Sequence, residues 1–354
     1  MFTDAEHHAM TAALAAALGG VRGANPLVGA VILDADAVPL ATGHHRGAGT
    51  PHAEADAIAA LGAMGRAHLR DATMLVTLEP CNHTGRTGPC ARAIINAGIG
   101  RVIYAVDDPH DPAAGGADTL RKAGVEVLSG LKSREARALN ARWFAAVEAA
   151  RPYTTLHLAQ TLDAKIAAAD GTSQWISGPE SLAHSHALRS RIDAILVGTG
   201  TVLTDNPRLT ARTPDGSLAA RQSLRAVMGL RAIPDDAAVR GDGNFVRLPT
   251  RDPAEASAEL YRRGVRHLLI EGGSRISGAF LAADLVDEIV VYLAPTLLGA
   301  GTPALADLGI TTLADARRWS WDPAGDGPAV ALGADLKLSL IPAAPAAATT
   351  AGGR

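Results

Sequence analysis

The chain has 354 residues, 47% of them hydrophobic and 19% charged, with a formal net charge of −3. That length suits two domains with separate cores, and the composition is that of an ordinary globular protein, not a disordered, nucleic-acid-wrapping or membrane-surface one. Any anionic ligand must therefore be met by local arginines. No apolar run reaches membrane-span length, and the start "MFTDAEHHAM" lacks the basic and apolar regions of a signal peptide, so a cytoplasmic location is expected. The only two cysteines, Cys81 and Cys90, form no disulfide framework.

In chain order, "TDAE" (3–6) has the form of a capping box, and an Ala/Leu-rich helix follows it to Leu18, stopped by Gly19-Gly20. "LVGAVIL" (27–33) and "TMLVTL" (73–78) read as buried strands, with a helix opening at His52 between them. Cys90 begins a helix that stops at Gly98, and "RVIYAV" (101–106), a helix over 116–123 and a strand over 125–128 follow. The alternation predicts a mostly parallel sheet covered on both faces. A helix from Ser133 to Ala149 ends the first half, and the boundary is placed near Arg151. Beyond it, strands are predicted at 153–159, 193–198, 224–228, 266–270, 286–293 and 334–341, with helices at 179–189, 254–263 and 274–283. The Pro/Ala/Thr/Gly tail after Ile341 argues for disorder, and no internal repeat is present.

His52 at one helix start, Cys81 after a strand and Cys90 at another helix start bring one imidazole and two thiolates toward a common point. Three such ligands plus water make a catalytic zinc site, whereas structural zinc normally takes four protein ligands. Glu54, two residues past the histidine, can face the metal's water as a general acid/base. Taken singly, a His-x-Glu is usually chance and a buried cysteine usually inert. Here "PHAE", "LEPC" and "GPC" stand at successive element ends, as in the His/Cys/Cys zinc deaminases. Eight residues separate the cysteines, not the usual two.

With that spacing, "NPLVGAVI" (25–32), "GHHRGAGTPHAEADAI" (43–58), "TLEPCNHTGRTGPC" (77–90) and "DDPHD" (107–111) closely resemble the deaminase half of the bifunctional riboflavin-biosynthesis deaminase/reductases. "TLDAKIAAADGTSQWISGPE" (161–180), "ILVGTGTVLTDNPRLTAR" (195–212), "LLIEGGSRISGAFL" (268–281) and "VDEIVVYLAPTLLG" (286–299) resemble the reductase half, in the same order. The resemblance implies a cytidine-deaminase-like three-layer α/β domain over 1–150 and a dihydrofolate-reductase-like α/β domain over 151–341, ahead of a tail over 342–354. It implies zinc on His52, Cys81 and Cys90, Glu54 as proton shuttle, and deamination of 2,5-diamino-6-(5-phosphoribosylamino)pyrimidin-4(3H)-one. Asn25 and His45 match pyrimidine contacts, although an Asn before Pro26 is also an ordinary turn residue. His83 and Arg86 either line the substrate pocket or are solvated loop residues.

For the second half the resemblance implies NADPH-dependent reduction of the ribosyl chain to ribityl. Ala159, Trp175, Thr201, Asp205 and the run Gly273, Ser274, Arg275, Ile276, Ser277, Gly278, Ala279 match cofactor contacts. Ser173, Arg189, Leu209, Arg212 and Glu271 match contacts to the substrate's ribosyl phosphate, for which guanidinium groups are suited. Lys165 is read as polarising the sugar, or else as a solvated lysine at a strand end. Three positions depart from the family: Ala164 stands where glycine is usual, His157 where lysine is common, and Gly229 where an aspartate normally follows the strand. A homodimer acting on a small molecule, with no nucleic-acid or membrane partner, is expected. The alternatives are a cytosine or tRNA deaminase, which predicts Cys-x-x-Cys and a basic patch, a zinc-structured scaffold without catalysis, and a deaminase whose C-terminal half only binds ligand or dimerises.

Overall fold

Apolar residues on both faces of the short strands require cover on both sides, and each half of the chain supplies it with helices. The computed structural model describes residues 1–47, 49–62, 69–82, 88–109, 114–322 and 327–343, so His83, Arg86 and the tail from Ala344 lie outside the described residues. The chain divides into two compact units, Met1–Ala150 and Arg151–Arg354.

The first unit runs α1 (Asp4–Ala17), β1 (Gly29–Leu33), β2 (Pro39–His44), α2 (Ala53–Ala60), β3 (Thr73–Val76), α3 (Cys90–Ala97), β4 (Arg101–Tyr104), α4 (Gly116–Lys122), β5 (Glu126–Ser129), α5 (Ser133–Leu139) and α6 (Ala141–Glu148). Strand order is β2-β1-β3-β4-β5. The sheet is mixed, correcting the expectation of a mostly parallel one: β1 is antiparallel to both β2 and β3, while β3, β4 and β5 are parallel. The reason is the short turn between β1 and β2, which permits only a hairpin. There the Asp34 carboxylate accepts from the amides of Asp36 (2.9 Å) and Val38 (2.8 Å).

Period-two alternation divides the strands between two cores. Ala30, Ile32, Met74, Val76 and Val102 pack with residues of α2, α3 and α4, while Val31, Leu33, Leu75 and Ile103 pack with α1 and α5. The layers are three, helix on sheet on helix. Gly43 of β2 lets α2 sit directly on the sheet, since a Cβ there would lie 2.3 Å from the Ala57 amide nitrogen. The capping box forms, with Thr3 Oγ1 accepting from the Glu6 amide at 3.3 Å and the Glu6 carboxylate accepting from the Thr3 amide at 2.7 Å.

The single helix expected from Ser133 to Ala149 is instead two, interrupted at Asn140. The Asn140 side chain is buried and satisfies both backbone groups of Leu27, accepting from its amide at 2.9 Å and donating to its carbonyl at 2.8 Å. Trp143 Nε1 donates to the Ala24 carbonyl at 3.0 Å, so this corner holds the loop that carries Asn25.

The second unit runs β6 (Tyr153–Thr161), β7 (Lys165–Ala167), α7 (Pro179–Arg189), β8 (Ala194–Gly198), α8 (Thr199–Asp205), β9 (Leu224–Met228), β10 (Phe245–Leu248), α9 (Pro253–Arg262), β11 (His267–Ile270), α10 (Ser274–Ala282), β12 (Glu288–Ala294), β13 (Thr302–Pro303), β14 (Trp319–Trp321), β15 (Ala329–Leu332) and β16 (Asp335–Pro342). The large sheet has the order β10-β9-β8-β11-β6-β12-β16-β14, parallel from β10 to β12, with β16 closing it antiparallel and pairing β15 as well. Its two cores again alternate along the strands: Leu196, Met228 and Ile270 face α9 and α10, and Ile195, Val227 and Leu269 the other side.

Replacing Asn140 by Ala leaves the buried Leu27 amide and carbonyl unpaired, and is expected to destabilise the first unit by about 2–4 kcal/mol. Hydrogen exchange over residues 21–33 and urea unfolding measure the loss.

Candidate active sites

His52 is the N-cap of α2, its backbone extended (φ −71°, ψ 163°) and its side chain free of any capping bond. Cys90 is the first residue of α3, and Cys81 lies five residues beyond the end of β3. The buried Glu79 carboxylate before Cys81 accepts from the Gly115 (3.2 Å) and Ala117 (3.0 Å) amides, fixing that turn against the start of α4.

His52 Nδ1 is 3.5 Å from Cys81 Sγ and 3.3 Å from Cys90 Sγ. Tetrahedral zinc with bonds of ~2.3 Å to sulfur and ~2.0–2.1 Å to nitrogen separates an N and an S donor by about 3.5 Å, so the trio fits the ion without rearrangement. The Cys90 amide donates to Cys81 Sγ at 3.4 Å. A hydrogen bond from the Cys90 thiol, the leading cause, together with the His52 imidazole brings the Cys81 thiol down to about 4, so the site favours thiolate. Glu54 is buried beside it, and burial, reinforced by the Cys81 charge, pushes its carboxyl up to about 7.

The pyrimidine-side residues join the same cluster. His45 is buried, its Nδ1 donates to the Pro51 carbonyl at 3.1 Å, and its Nε2 accepts from Asn25 Nδ2 at 3.0 Å. Burial lowers the His45 pKa, keeping the ring neutral, and the ring meets that of His52 edge-on at 5.2 Å. Asn25 retains one N–H and its carbonyl for a ligand.

In the second unit a 270 Å³ cavity is lined by eight residues named from the sequence: Ala159, Ser173, Trp175, Arg189, Thr201, Asp205, Glu271 and Gly273. An 880 Å³ cavity is lined by Thr201, Gly273, Ser274, Arg275, Ile276 and Ala279 among others. The two share Thr201, on α8, and Gly273, at the turn between β11 and α10. That turn packs the backbone closely on α10, since a Cβ on Gly272 would lie 2.7 Å from the Cβ of Ile276. Ser277 and Gly278 of the same run point elsewhere: Ser277 is buried with its hydroxyl donating to the Gly272 carbonyl, and Gly278 faces Ala306.

Three other residues stand apart. Lys165 lies on β7 and does not line the smaller cavity, whereas its neighbour Ile166 does. Leu209 is buried in the core beneath α8. Arg212 lines a separate 670 Å³ cleft and donates to the Gly216 carbonyl at 2.6 Å. Arg189 does line the cavity, but its fork is taken by Glu271, with Nε to Oε1 at 2.9 Å and Nη2 to Oε2 at 2.5 Å. Burial alone would raise the Glu271 carboxyl, yet Arg189 holds it below its ordinary value.

Sequence reasoning missed the surroundings of His157. Its ring stacks edge-on against Tyr292 at 4.8 Å, Tyr292 Oη meets His184 Nδ1 at 2.5 Å, and His157 Nε2 is buried without a hydrogen-bond partner among the described residues. Tyr292 lies within the quoted 286–299 stretch but is given no role there, and His184 lies outside the quoted motifs. A buried tyrosine within a strand, in reach of a helical histidine, is visible only once α7 is docked on the sheet.

The chain thus has two candidate sites, a His/Cys/Cys centre with a buried glutamate and a pair of arginine-fringed cavities that adjoin at a glycine turn. Residues 3–106 match the family described as "Cytidine and deoxycytidylate deaminase zinc-binding region", and residues 152–324 match "RibD C-terminal domain". The riboflavin biosynthesis protein RibD of Mycobacterium tuberculosis is 42% identical over 318 residues, covering 89% of this chain and 91% of the relative. That of Escherichia coli is 34% identical over 332 residues, covering 84% and 89%. The solved structure of Acinetobacter baumannii RibD superposes with a TM-score of 0.84 at 30% identity, over 96% of this chain and 99% of that one. A diaminohydroxyphosphoribosylaminopyrimidine deaminase/5-amino-6-(5-phosphoribosylamino)uracil reductase from Thermotoga maritima superposes at 0.79 with 28% identity, over the same shares.

Fold and sites together define a zinc-dependent deaminase joined to an NADPH-dependent reductase. The chain belongs to the RibD family, whose members deaminate and then reduce a pyrimidine intermediate of riboflavin biosynthesis.

Burial, the leading cause, lowers the His157 pKa to about 4, below its ordinary value of 6.5. Between those values the unfolded chain binds the proton that the folded chain refuses, so stability rises with pH across this window. About 3 kcal/mol is present above pH ~6.5 and is lost as pH falls toward ~4. His157→Gln is expected to flatten the loss of urea resistance between pH 7 and pH 5, followed by tryptophan fluorescence. Three of the four reporters, Trp175, Trp319 and Trp321, lie in this unit.

Proposed function

We propose that His52, Cys81 and Cys90 hold the zinc of the deaminase, that Glu54 moves its protons, and that Asn25 and His45 orient the pyrimidine. The carrying observation is the convergence of the three donor atoms within 4.8 Å of one another, with Glu54 buried beside them. When bound, zinc supplies an acidified water as nucleophile. Glu54, poised near neutrality, takes up a proton and returns it to the departing amine as ammonia leaves. Asn25 reads the pyrimidine edge with its remaining N–H and carbonyl, and His45 fixes the amide's orientation.

For the second step NADPH supplies the hydride when bound, and the double cavity aligns it with the opened sugar. Ala159, Trp175, Thr201 and Asp205 serve the nicotinamide side, and the turn at Gly273 with Ser274, Arg275, Ile276 and Ala279 serves the phosphates. Ser173 and the Arg189–Glu271 pair position the ribosyl phosphate portion. Leu209 and Arg212, outside the smaller cavity, have only the family match to support a substrate role. The same is true of Lys165 as a catalytic group, and the proposal makes no use of it.

The two units carry the two activities, Met1–Ala150 the first and the chain from Arg151 the second. We assign the working form as a homodimer in the cytoplasm acting on a small phosphoribosyl pyrimidine, with neither nucleic acid nor membrane as partner. The net charge of −3 speaks against a nucleic-acid partner, and among the described residues no helix is long and apolar enough to cross a membrane; the homodimer and the location rest on the family resemblance alone.

The test is mass spectrometry of products formed from the diaminopyrimidine ribosyl phosphate. Wild type gives the deaminated product alone without NADPH, and a further gain of two hydrogens once NADPH is added. Deamination with no NADPH-dependent step would sink the reductase assignment. Glu54→Gln is expected to lower deamination by a factor of about 10² or more while retaining one zinc per chain by metal analysis. Loss of the metal would give Glu54 a different role.

A further inference from the structure

The family match ends at residue 324, yet the strand beyond it, β16, reaches back to the smaller cavity of the second unit. Asp335, the first residue of β16, is 3% exposed. Its Oδ2 accepts from the Gly178 amide and from the Ser181 hydroxyl, each at 2.7 Å. Burying a carboxylate is costly unless it is bonded, and here both donors come from a single helix start, 157 positions from Asp335 for the Gly178 amide.

That helix start has no cap of its own. Gly178 is the N-cap of α7 and has no side chain to offer, and Pro179 follows at the head of the helix. Asp335 supplies an acceptor at this end from another strand, and its charge suits the positive end of the helix. The turn before β16 presses on the same place: Gly333 has φ +61°, and a Cβ there would lie 2.4 Å from Glu180 Oε2.

What depends on this joint is a cavity wall. Residues 173–177 line the 270 Å³ cavity immediately before it, and Ser181, Ser185 and Arg189 line the cavity after it. Those three are spaced by four, so they share one face of α7. Asp335 itself does not line the cavity. α7 has two further polar anchors, His184 Nδ1 to Tyr292 Oη and the Arg189 fork to Glu271. Taken along the helix, the anchors fall on β16, on β12 and on the turn after β11, the order in which those strands stand in the sheet. Three anchors spread across the sheet fix the rotation of α7 about its axis. The Asp335 anchor is the one that adjoins the 173–177 turn.

We propose that Asp335 is a positioning residue of the reductase, which by fixing the joint at Gly178 sets both the 173–177 turn and the Ser181/Ser185/Arg189 face of α7 against the ligand. The inference rests on the reductase reading above and adds to it a group outside the cavity, on the last strand.

The experiment is steady-state kinetics of both activities of the full-length, zinc-loaded chain, for wild type, Asp335→Ala, Asp335→Asn and Ser181→Ala. Asp335→Ala is expected to lower kcat/KM of the NADPH-dependent reduction about tenfold or more, mainly by raising KM for the deaminated phosphoribosyl substrate, while deamination stays within about twofold of wild type. Asparagine keeps an acceptor oxygen at the same place, so Asp335→Asn is expected to return to within about threefold of wild type. Ser181→Ala, which loses one of the two bonds, is expected to fall between, and it carries the test if Asp335→Ala yields no folded protein. A drop in kcat at unchanged KM would mean fewer folded reductase units and would overturn the positioning role. Unchanged reductase kinetics in Asp335→Ala, or an asparagine variant as impaired as the alanine one, would overturn it too while leaving the reductase reading in place. A wild-type chain that reduces nothing in the presence of NADPH would overturn both.

Discussion

Hydrogen bonding between parallel strands brings their carboxyl ends to one edge of a sheet, where each chain must leave through a turn into a helix. In both units the groups of the candidate sites are attached there. Cys81 follows β3, Thr199 to Asp205 follow β8, Gly229 follows β9, and Glu271 to Gly273 follow β11. The strands are buried on both faces and cannot shift register without exposing one core, so the turns inherit their rigidity. Helix starts at the same edge point backbone N–H groups into the space, and at Cys81 that field favours thiolate. One geometric constraint thus positions both the His/Cys/Cys centre and the adjoining cavities of the second unit.

Electrostatic pairing then separates the arginines by function. Arg189 is in the cavity named by its motif, but it shares its planar fork with Glu271 in a bidentate pair that is largely buried. An incoming phosphate meets that pair as a nearly neutral surface with a few spare N–H donors, so it serves for orientation more than for charge neutralisation. Arg231 and Arg251, which line the larger cavity, have no such partner among the described residues. The distinction is invisible in the sequence, where all are simply arginines near strand or helix ends.

What was legible followed from punctuation. The zinc trio and the Gly272–Gly273 turn stand at element boundaries marked by proline and glycine, so their positions can be read without the fold. β2 was missed because "PLATGH" is half exposed and contains both Pro and Gly, against strand propensity. Short α8 and β10 carry too few residues for a period to show, and the break at Asn140 has no local signal because its cause is Leu27, 113 positions away. The mixed sheet was misread since apolar runs report burial, while direction is set by the length of the connection. The distribution of site residues among cavities was likewise closed to the sequence: Arg212 follows the family spacing, yet its side chain lines another cleft.

The Ala164 departure shows how such a site tolerates strain. Its φ of +58° is in the left-handed region, which costs a non-glycine residue about 1–2 kcal/mol. The turn around it is over-determined. Ala164 donates to the Thr161 carbonyl at 2.9 Å and accepts from the Ala304 amide at 3.0 Å, while the Asp163 carboxylate receives the Thr161 hydroxyl at 2.6 Å and the Gly299 amide at 2.7 Å. These four bonds fix the turn from both sides and hold the backbone in that conformation. The alanine is therefore carried without loss of the conformation that glycine serves in the family. On β7 it is Ile166 and not Lys165 that lines the smaller cavity, so the wall there is apolar, and the polar lining comes from α7, α8, the turn after β11, the 173–177 turn and the facing side chains His157 and Tyr292.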